Sequence, residues 1–304
     1  MKKGTKRLML LALTAILTVT VMGCGGDTPQ DGVEPVKIGW ARYTEQSILG
    51  YMTAILIEEH LGLPVELSAD LGGTAIAHDA IIGGNLDVSV DYTGDALANV
   101  LDLDPLPNPQ EAYEAVSTGF KENYDIVWLN PTEFNNTYAL ALKDEIAEER
   151  GIETISDLEP HAGDWTIGTS VEFSERRLDG YEGMTNHYGF TFGNIRPMDP
   201  GLMYISADRG DVDVIVAFAT DARIGRFNLR VLDDDMEFFP AYNAAVTIRQ
   251  ETLDAHPEIA EVVNEVFDGL TLEVILELNG RVDIDEEETD VVAREYLQSL
   301  GYIE

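Results

Sequence analysis

Two segments of this chain, residues 84–96 and residues 210–222, have the same sequence pattern. Each copy has alternating apolar residues, then a break and a helix-like run, which predicts a strand followed by a helix. Tyr92 ends the strand in the first copy and Phe218 in the second. The repetition predicts two similar lobes, each with an aromatic at a strand end, where open α/β sheets bind ligands. The alternative is a strand–turn–helix pattern that α/β proteins share without common function.

The segments around the first copy alternate between strand-like and helix-like patterns. Near the C-terminus, residues 258–279 predict one long helix and residues 289–300 another, both packed on the first lobe. The order of the N-terminal elements, β-α-β-α-β, predicts parallel strands in a doubly wound sheet. These elements are expected at residues 36–39, 45–60, 64–67, 75–82 and 88–92.

Two further strand-like segments, 135–142 and 240–249, lie between the halves of the chain. A chain that leaves one lobe and returns to it needs two connections, and such a pair acts as a hinge. We expect a first lobe of residues 36–135 and 241–304, and a second lobe of residues 136–240.

The charge of the chain is unusual: 56 acidic residues stand against 19 basic ones, a formal net charge of −37. Such a surface repels nucleic acid and anionic membranes, so neither is expected as a main partner. The acids alternate with apolar residues, as in a folded domain. An acidic surface suits concentrated salt, where screening removes most of the self-repulsion.

The N-terminus has the pattern of a secretory signal, with four basic residues before an apolar run at residues 8–22. Cys24, the only cysteine, follows Val-Met-Gly, which resembles the acylation motif of prokaryotic lipoproteins. We expect a signal peptide at residues 1–23, a lipid on Cys24 and a flexible tether over residues 24–35. The alternative is an ordinary secretory signal followed by an unmodified cysteine.

No catalytic or cofactor motif stands out. The P-loop, the Rossmann glycines and the HExxH, CxxC and GxSxG patterns are missing from the sequence. The five histidines lack the spacing of a metal site. We therefore expect no enzyme activity, no metal ion and no cofactor.

Aromatic residues accumulate at the ends of the predicted strands and at the crossings between lobes. A box of aromatic faces holds a quaternary ammonium by cation–π attraction, worth about 0.5–2 kcal/mol per contact. Packing in the core is the alternative for each ring taken alone. The four rings are Tyr92, Tyr138, Phe218 and Tyr242.

The chain resembles the substrate-binding lipoproteins of ABC transporters for glycine betaine, choline and related osmoprotectants. The resemblance runs from residue 36 to residue 303 and depends on many short motifs together. They include Tyr43-Thr-Glu-Gln46, Leu71-Gly-Gly-Thr74, Asp91-Tyr-Thr-Gly94, Asn136-Thr-Tyr-Ala-Leu140, Ala217-Phe-Ala-Thr-Asp221 and Phe239-Pro-Ala-Tyr242.

This resemblance implies a two-lobed clamshell, the type 2 fold of periplasmic binding proteins, in which each lobe is a mostly parallel sheet flanked by helices. It places an aromatic cage between the lobes and a carboxylate-binding arginine at Arg176 or Arg177. Further ligand-binding candidates are Asn136, Thr74 and Arg42. The cage itself falls on Tyr92, Tyr138, Phe218 and Tyr242.

Three features depart from the family pattern. Trp40-Ala41, with Arg42 adjacent, stands where relatives have a polar or basic residue after the first strand. Phe218 replaces the usual tyrosine, which keeps an aromatic face but loses a hydroxyl. Asp95 stands where relatives often have threonine, and it would repel a ligand carboxylate if it pointed into the cage. As an N-cap of the following helix it would not, and we expect the cap.

The sequence thus predicts an extracytoplasmic receptor, anchored by Cys24 to the outer face of the cell membrane, that binds without covalent chemistry. The expected ligand is glycine betaine first and choline second, passed to the permease subunits of an ABC importer. The alternatives are a receptor for another amine or amino-acid-like solute on the same fold, or a sensing module without transport.

The acidic composition generates a first prediction. We expect the midpoint of thermal unfolding to rise between dilute buffer and molar sodium or potassium chloride, because salt screens the repulsion among exposed carboxylates. Circular dichroism at increasing salt measures it. Equal stability in dilute buffer and in molar salt would contradict the expectation that the acidic surface suits concentrated salt.

Overall fold

Two five-stranded sheets organise residues 34–304, which are the residues that the computed structural model describes. These residues form one compact unit. The predicted signal peptide, Cys24 and most of the predicted tether lie outside the described residues. Within residues 34–304, no helix combines the length and the apolar character needed to cross a membrane.

The strands alternate with helices along most of the chain, as the sequence predicted. They are β1 (Val36–Gly39), β2 (Val65–Ser68), β3 (Val88–Tyr92), β4 (Ile126–Trp128), β5 (Tyr138–Lys143), β6 (Thr166–Thr169), β7 (Asn194–Pro197), β8 (Val214–Phe218), β9 (Leu229–Val231) and β10 (Ala244–Arg249).

Both sheets have the same internal plan. The first has the order β2-β1-β3-β10-β4 and the second the order β7-β6-β8-β5-β9. In the first sheet β1 pairs in parallel with β2 and β3, and β10 runs antiparallel to β3 and β4. In the second sheet β6 pairs in parallel with β7 and β8, and β5 runs antiparallel to β8 and β9. The repeated strands β3 and β8 thus occupy equivalent central places.

Helices cover the sheets and define the two lobes, which we name the first and the second after their sheets. The helices of the N-terminal part are α1 (Thr44–Ile55), α2 (Thr74–Ile82), α3 (Thr93–Asn99) and α4 (Pro109–Tyr124). Those between β5 and β9 are α5 (Asp144–Arg150), α6 (Glu159–Ala162), α7 (Val171–Glu175), α8 (Tyr181–Tyr188), α9 (Pro200–Arg209) and α10 (Arg223–Arg226). The C-terminal part adds α11 (Gln250–Ala255), α12 (Glu258–Phe267), α13 (Leu272–Asp283) and α14 (Thr289–Leu300).

Helix α1 is the buried centre of the first lobe. Trp40 and the α1 residues Ile48, Leu49 and Met52 are fully buried, and α13 and α14 pack against the helix. The predicted helix at residues 45–60 is confirmed, with its last turn in the wider π-helical form. The prediction of a single helix over residues 258–279 is wrong, because the helix is interrupted around Gly269, between α12 and α13.

Two antiparallel segments connect the lobes. The chain enters the second sheet through β5 and returns through β10, and just outside these strands Asn135 forms a bridge with Asn243. The backbone N–H of Asn136 donates to the Tyr242 carbonyl at 3.0 Å, and the backbone N–H of Tyr242 donates to Asn135 Oδ1 at 2.7 Å. These bonds hold the beginning of β5 beside the beginning of β10, so that both segments reach the same cavity.

Candidate functional site

A cavity of about 370 Å³ lies at the ends of β3, β5 and β8, within the roughly 300–1,000 Å³ range of small-molecule sites. Residues from both lobes line it. Of the candidates from the sequence, Arg177 does not line the cavity. The candidates that do are Arg42, Thr74, Tyr92, Asp95, Asn136, Tyr138, Arg176, Phe218 and Tyr242.

The aromatic rings of the cavity come from strand ends and crossings. Tyr138 on β5 is directly opposite Phe218 on β8, and their ring centroids are 5.3 Å apart. Tyr242 lies 5.3 Å from Tyr138 at a steep angle of 76°. Tyr92 enters from the end of β3, and Tyr43, which we did not predict, lies 6.1 Å from Phe218. The rings therefore present faces and edges in several orientations to one space.

Carboxylates hold the phenol groups of two cage residues. The Tyr92 hydroxyl donates to Glu45 Oε1 at 2.7 Å, and the Tyr242 hydroxyl donates to Asp179. Burial raises the pKa of both phenols, so they stay neutral and keep their proton for these bonds. Phe218 has no hydroxyl that needs an acceptor. The bonds fix the ring planes through their polar ends and leave the apolar faces for a ligand.

The guanidinium of Arg176 lies beside the aromatic rings of the cavity. It binds Asp95 of the first lobe, lies 3.1 Å from Asp179 Oδ2 and donates to the Tyr242 hydroxyl at 3.0 Å. It also lies 5.7 Å from the centre of the Tyr138 ring. Two carboxylates and a phenol thus already engage this arginine.

The side chain of Arg177 points away from the cavity. Its side chain is 68% exposed and 3.3 Å from Asp102. Helix α7 ends at Glu175 and the backbone of Arg176 is extended, so consecutive side chains point in opposite directions. Of the two candidate arginines, only Arg176 is placed to meet a ligand in the cavity.

Asp95 is not the predicted N-cap. Helix α3 begins at Thr93, and Tyr92 takes the cap position without a capping side-chain bond. Asp95 is therefore inside the helix, where Oδ1 accepts from Arg176 and, at 2.9 Å, from Asn99. Its side chain lines the cavity, but its charge is neutralised by the arginine.

His78 completes this buried cluster of charges. Its Nε2 lies 2.6 Å from Asp91 Oδ2 and 3.7 Å from Asp95 Oδ2. Burial alone would lower the pKa of the imidazole, but the two carboxylates outweigh it and raise the pKa to about 9. His78 is therefore a cation at neutral pH.

The side chains of His78, Asp91 and Asp95 place their ligand atoms within 4.8 Å of one another, a spacing that a metal ion can use. The proton on His78 and the guanidinium of Arg176 already balance the two carboxylates. A dication at this position would have to replace the proton and lie beside the arginine. The arrangement is better suited to a proton than to a metal.

A second ionic group, which we did not predict from the sequence, joins the lobes at another side of the cavity. Arg223 of α10 donates to Asp221 at 2.8 Å and lies 3.1 Å from Asp283 of α13. The Thr44 hydroxyl also donates to Asp283, at 2.7 Å. The guanidinium lies 4.6 Å from the centre of the Tyr204 ring. Like Arg176, this arginine is paired with two carboxylates.

The lining of the cavity has an excess of negative charge and of hydrogen-bond acceptors. Three arginines line it, against six carboxyl groups: Glu45, Asp95, Glu172, Asp199, Asp221 and Asp283. Four buried oxygens of lining residues have no donor within residues 34–304: Gln46 Oε1, Asp95 Oδ2, Asn136 Oδ1 and Asn279 Oδ1. The cavity is thus suited to a ligand with positive charge.

Sequence reasoning missed Tyr43, Glu45 and Glu172. The first two lie in the segment after the end of β1, Tyr43 at the N-cap of α1 and Glu45 in its first turn, and belong to the Tyr43-Thr-Glu-Gln46 motif. The rule that placed Tyr92 at a ligand site, the end of a sheet strand, applies equally to them. Glu172 contacts the Tyr43 hydroxyl across the cavity, a pairing that no local pattern indicates.

The cluster around His78 generates a prediction about pH. Because the folded-state pKa is about 9 and the ordinary value is 6.5, the stabilisation is complete below about pH 6.5 and is lost as pH rises through 9. We expect the free energy of unfolding to fall by about 3 kcal/mol across this interval. Urea unfolding at pH 6 and pH 9.5 measures it. His78→Gln should flatten the profile, and an unchanged slope in that variant would contradict the assignment.

Known proteins resemble this chain along nearly its whole length. Residues 34–299 match the OpuAC family model, the substrate binding domain of an ABC-type glycine betaine transport system. Identity to the glycine-betaine-binding protein of Pseudomonas aeruginosa is 37% over 275 residues, 87% of this chain and 88% of that protein. Identity to the carnitine transport binding protein OpuCC of Listeria monocytogenes is 32% over 307 residues, 100% of this chain and 98% of that protein.

The crystal structure of a glycine betaine/carnitine/choline ABC transporter is also similar, with a TM-score of 0.74 and 35% identity over 88% of this chain and 100% of that one. The predicted two-lobed α/β fold is therefore confirmed. Proteins of this family are transport proteins rather than enzymes; they bind small ligands outside the cytoplasm and pair with permease subunits. The chain belongs to the family of substrate-binding domains of ABC-type glycine betaine transport systems.

Proposed function

We propose that this protein captures a quaternary-ammonium solute outside the cell and delivers it to the permease subunits of an ABC importer. The observation that carries the proposal is a set of four rings that line one cavity: Tyr92, Tyr138, Phe218 and Tyr242. A trimethylammonium has no N–H group to satisfy, so aromatic faces suit it better than single carboxylates. Each contact contributes about 0.5–2 kcal/mol once water is excluded.

Closure of the lobes completes the site. The pairs Arg176–Asp95 and Arg223–Asp283 each join one lobe to the other beside the cavity. A ligand that touches rings from both lobes binds the closed form better than the open form and shifts the population toward it. The permease then recognises the closed, loaded receptor.

Glycine betaine is the first candidate ligand. Its ammonium occupies the cage, and its carboxylate binds Arg176. To make this contact, Arg176 gives up part of its ion pair with Asp95. Asn136, Thr74 and Arg42 line the same cavity and offer further polar contacts. Relatives described as glycine-betaine-binding and carnitine transport binding proteins support this ligand class.

Choline is the second candidate, and the charge of the cavity favours it. Arg176 is engaged by Asp95 and Asp179, so a ligand carboxylate has to compete for it. The hydroxyl of choline is a hydrogen-bond donor, and the lining offers unpaired acceptors such as Asn136 Oδ1. Choline carries a net positive charge and matches the excess of carboxyl groups.

The receptor is held at the outer face of the cell membrane by a lipid on Cys24. The Val-Met-Gly-Cys motif after a secretory signal supports this anchor, as does the extracytoplasmic role of the family. Such an anchor keeps the receptor near its permease while the tether lets it move.

Calorimetric titration in molar salt with glycine betaine, choline, carnitine and proline tests the proposal. We expect heat from at least one quaternary amine. Tyr92→Ala should weaken its binding at least about tenfold, because a ring face is lost from the cage. Tyr113→Ala, which removes a half-buried ring outside the cavity, is the control. No binding of any quaternary amine, or unchanged affinity in the Tyr92 variant, would refute the proposal.

A second experiment separates the two candidate ligands. Asp95→Asn removes the carboxylate that competes for Arg176, so we expect the ratio of betaine to choline affinity to rise about tenfold or more. Asp199→Asn changes another lining acid, one with no ion pair to Arg176, and should leave the ratio near the wild-type value. An identical ratio in the wild type and the Asp95 variant would show that this carboxylate does not select the ligand.

A further inference from the structure

Glu45 is a buried carboxylate at the hydroxyl end of the Tyr92 ring. It is the second residue of α1, lines the cavity and is only 4% exposed. Its Oε1 accepts from the Tyr92 hydroxyl at 2.7 Å and from Asn136 Nδ2 at 2.9 Å. Its Oε2 accepts from Asn279 Nδ2 at 3.0 Å.

These bonds are those of an ionised carboxylate, since all three partners donate to it. The side-chain amide of Asn279 cannot be flipped to exchange its oxygen and nitrogen, because Nδ2 also donates to the Thr220 carbonyl at 3.0 Å. Glu45 also lies in the first turn of α1, where the helix dipole favours negative charge. Burial has the largest effect on the pKa of Glu45 and raises it above its usual value, and the hydrogen bonds that the carboxylate accepts offset part of this rise.

The charge of Glu45 has no cationic partner within residues 34–304, unlike the other buried carboxylates of the cavity. Asp95 pairs with Arg176, and Asp221 pairs with Arg223. A buried charge is costly unless a charge of opposite sign compensates for it. The side chain faces the space that the proposed ligand occupies, so the missing cation is one that the ligand can supply.

We propose that Glu45 is the countercharge of the bound ammonium and makes the cage select a cation over an uncharged molecule of the same shape. The inference depends on the proposed function, since it concerns the same ligand. Glu45 acts in two ways. It attracts the ammonium through the low-dielectric interior, and its hydrogen bond from Tyr92 draws electron density toward that ring. The four rings supply shape, and Glu45 supplies much of the preference for charge.

The test compares choline with 3,3-dimethylbutan-1-ol, in which carbon replaces the quaternary nitrogen and the shape is retained. We expect Glu45→Gln to weaken choline binding about tenfold or more and to change the binding of the neutral alcohol by less than about threefold. Glu45→Asp keeps the charge and should keep most of the preference for choline. Glu58→Gln, which removes an exposed carboxylate from the turn after α1, should bind both ligands like the wild type.

Equal losses for both ligands in Glu45→Gln would overturn the inference, because they would show that the residue only supports the shape of the site. If that variant does not fold, Tyr92→Phe provides the test, since it deletes a hydrogen bond to Glu45 and leaves the charge. A smaller preference for choline over the alcohol than in the wild type supports the inference, because the hydrogen bond that enriches the ring is gone, and an unchanged preference overturns it. A wild-type protein that binds the alcohol as tightly as choline overturns it as well. If the wild type binds neither choline nor glycine betaine, the proposed function itself fails.

Discussion

One guanidinium compensates the buried carboxylates that lie beside the aromatic rings. Arg176 comes from the second lobe, neutralises Asp95 of the first, and also binds Asp179 and the hydroxyl of Tyr242. Removal of one partner from such a buried group leaves uncompensated charge, at a cost of about 3–5 kcal/mol. Because the ring of Tyr242 is tied to the same group, the position of the ring and the charge of the cavity are set together.

An aromatic cage is a suitable binding device for so acidic a protein. At high ionic strength, contacts between exposed charges are largely screened, whereas groups buried away from solvent are screened much less. The faces of Tyr138 and Phe218 need no exposed countercharge to attract a cation. Glu45 and Asp95 are almost completely buried, so the electrostatic effect that we propose for them is one that concentrated salt screens little.

The sequence predicted most of the elements because each has a local pattern. Helix α14 and strand β8 lie where their apolar periodicity placed them, since each buries one defined face. The interruption between α12 and α13 was not predicted, because apolar residues continue on both sides of Gly269 and only the packing of two separate helices reveals the break. Asp95 was misplaced for a related reason. The start of α3 depends on where the backbone leaves β3, and the pairing of β3 with β10 sets that point.

By itself, the sequence determined the two-lobed α/β class and the placement of four aromatics at strand ends and crossings, because periodicity and chain order are local properties. Its short motifs carried the resemblance to the family. Only the tertiary structure decided that Arg176 faces the cavity while Arg177 does not, and that Asp95 pairs with this arginine across 81 positions of the chain. It also placed the carboxylate of Glu45 at the hydroxyl of Tyr92, 47 positions away. These contacts join residues that lie far apart in the chain, and their geometry follows from how the lobes and helices pack rather than from any local pattern.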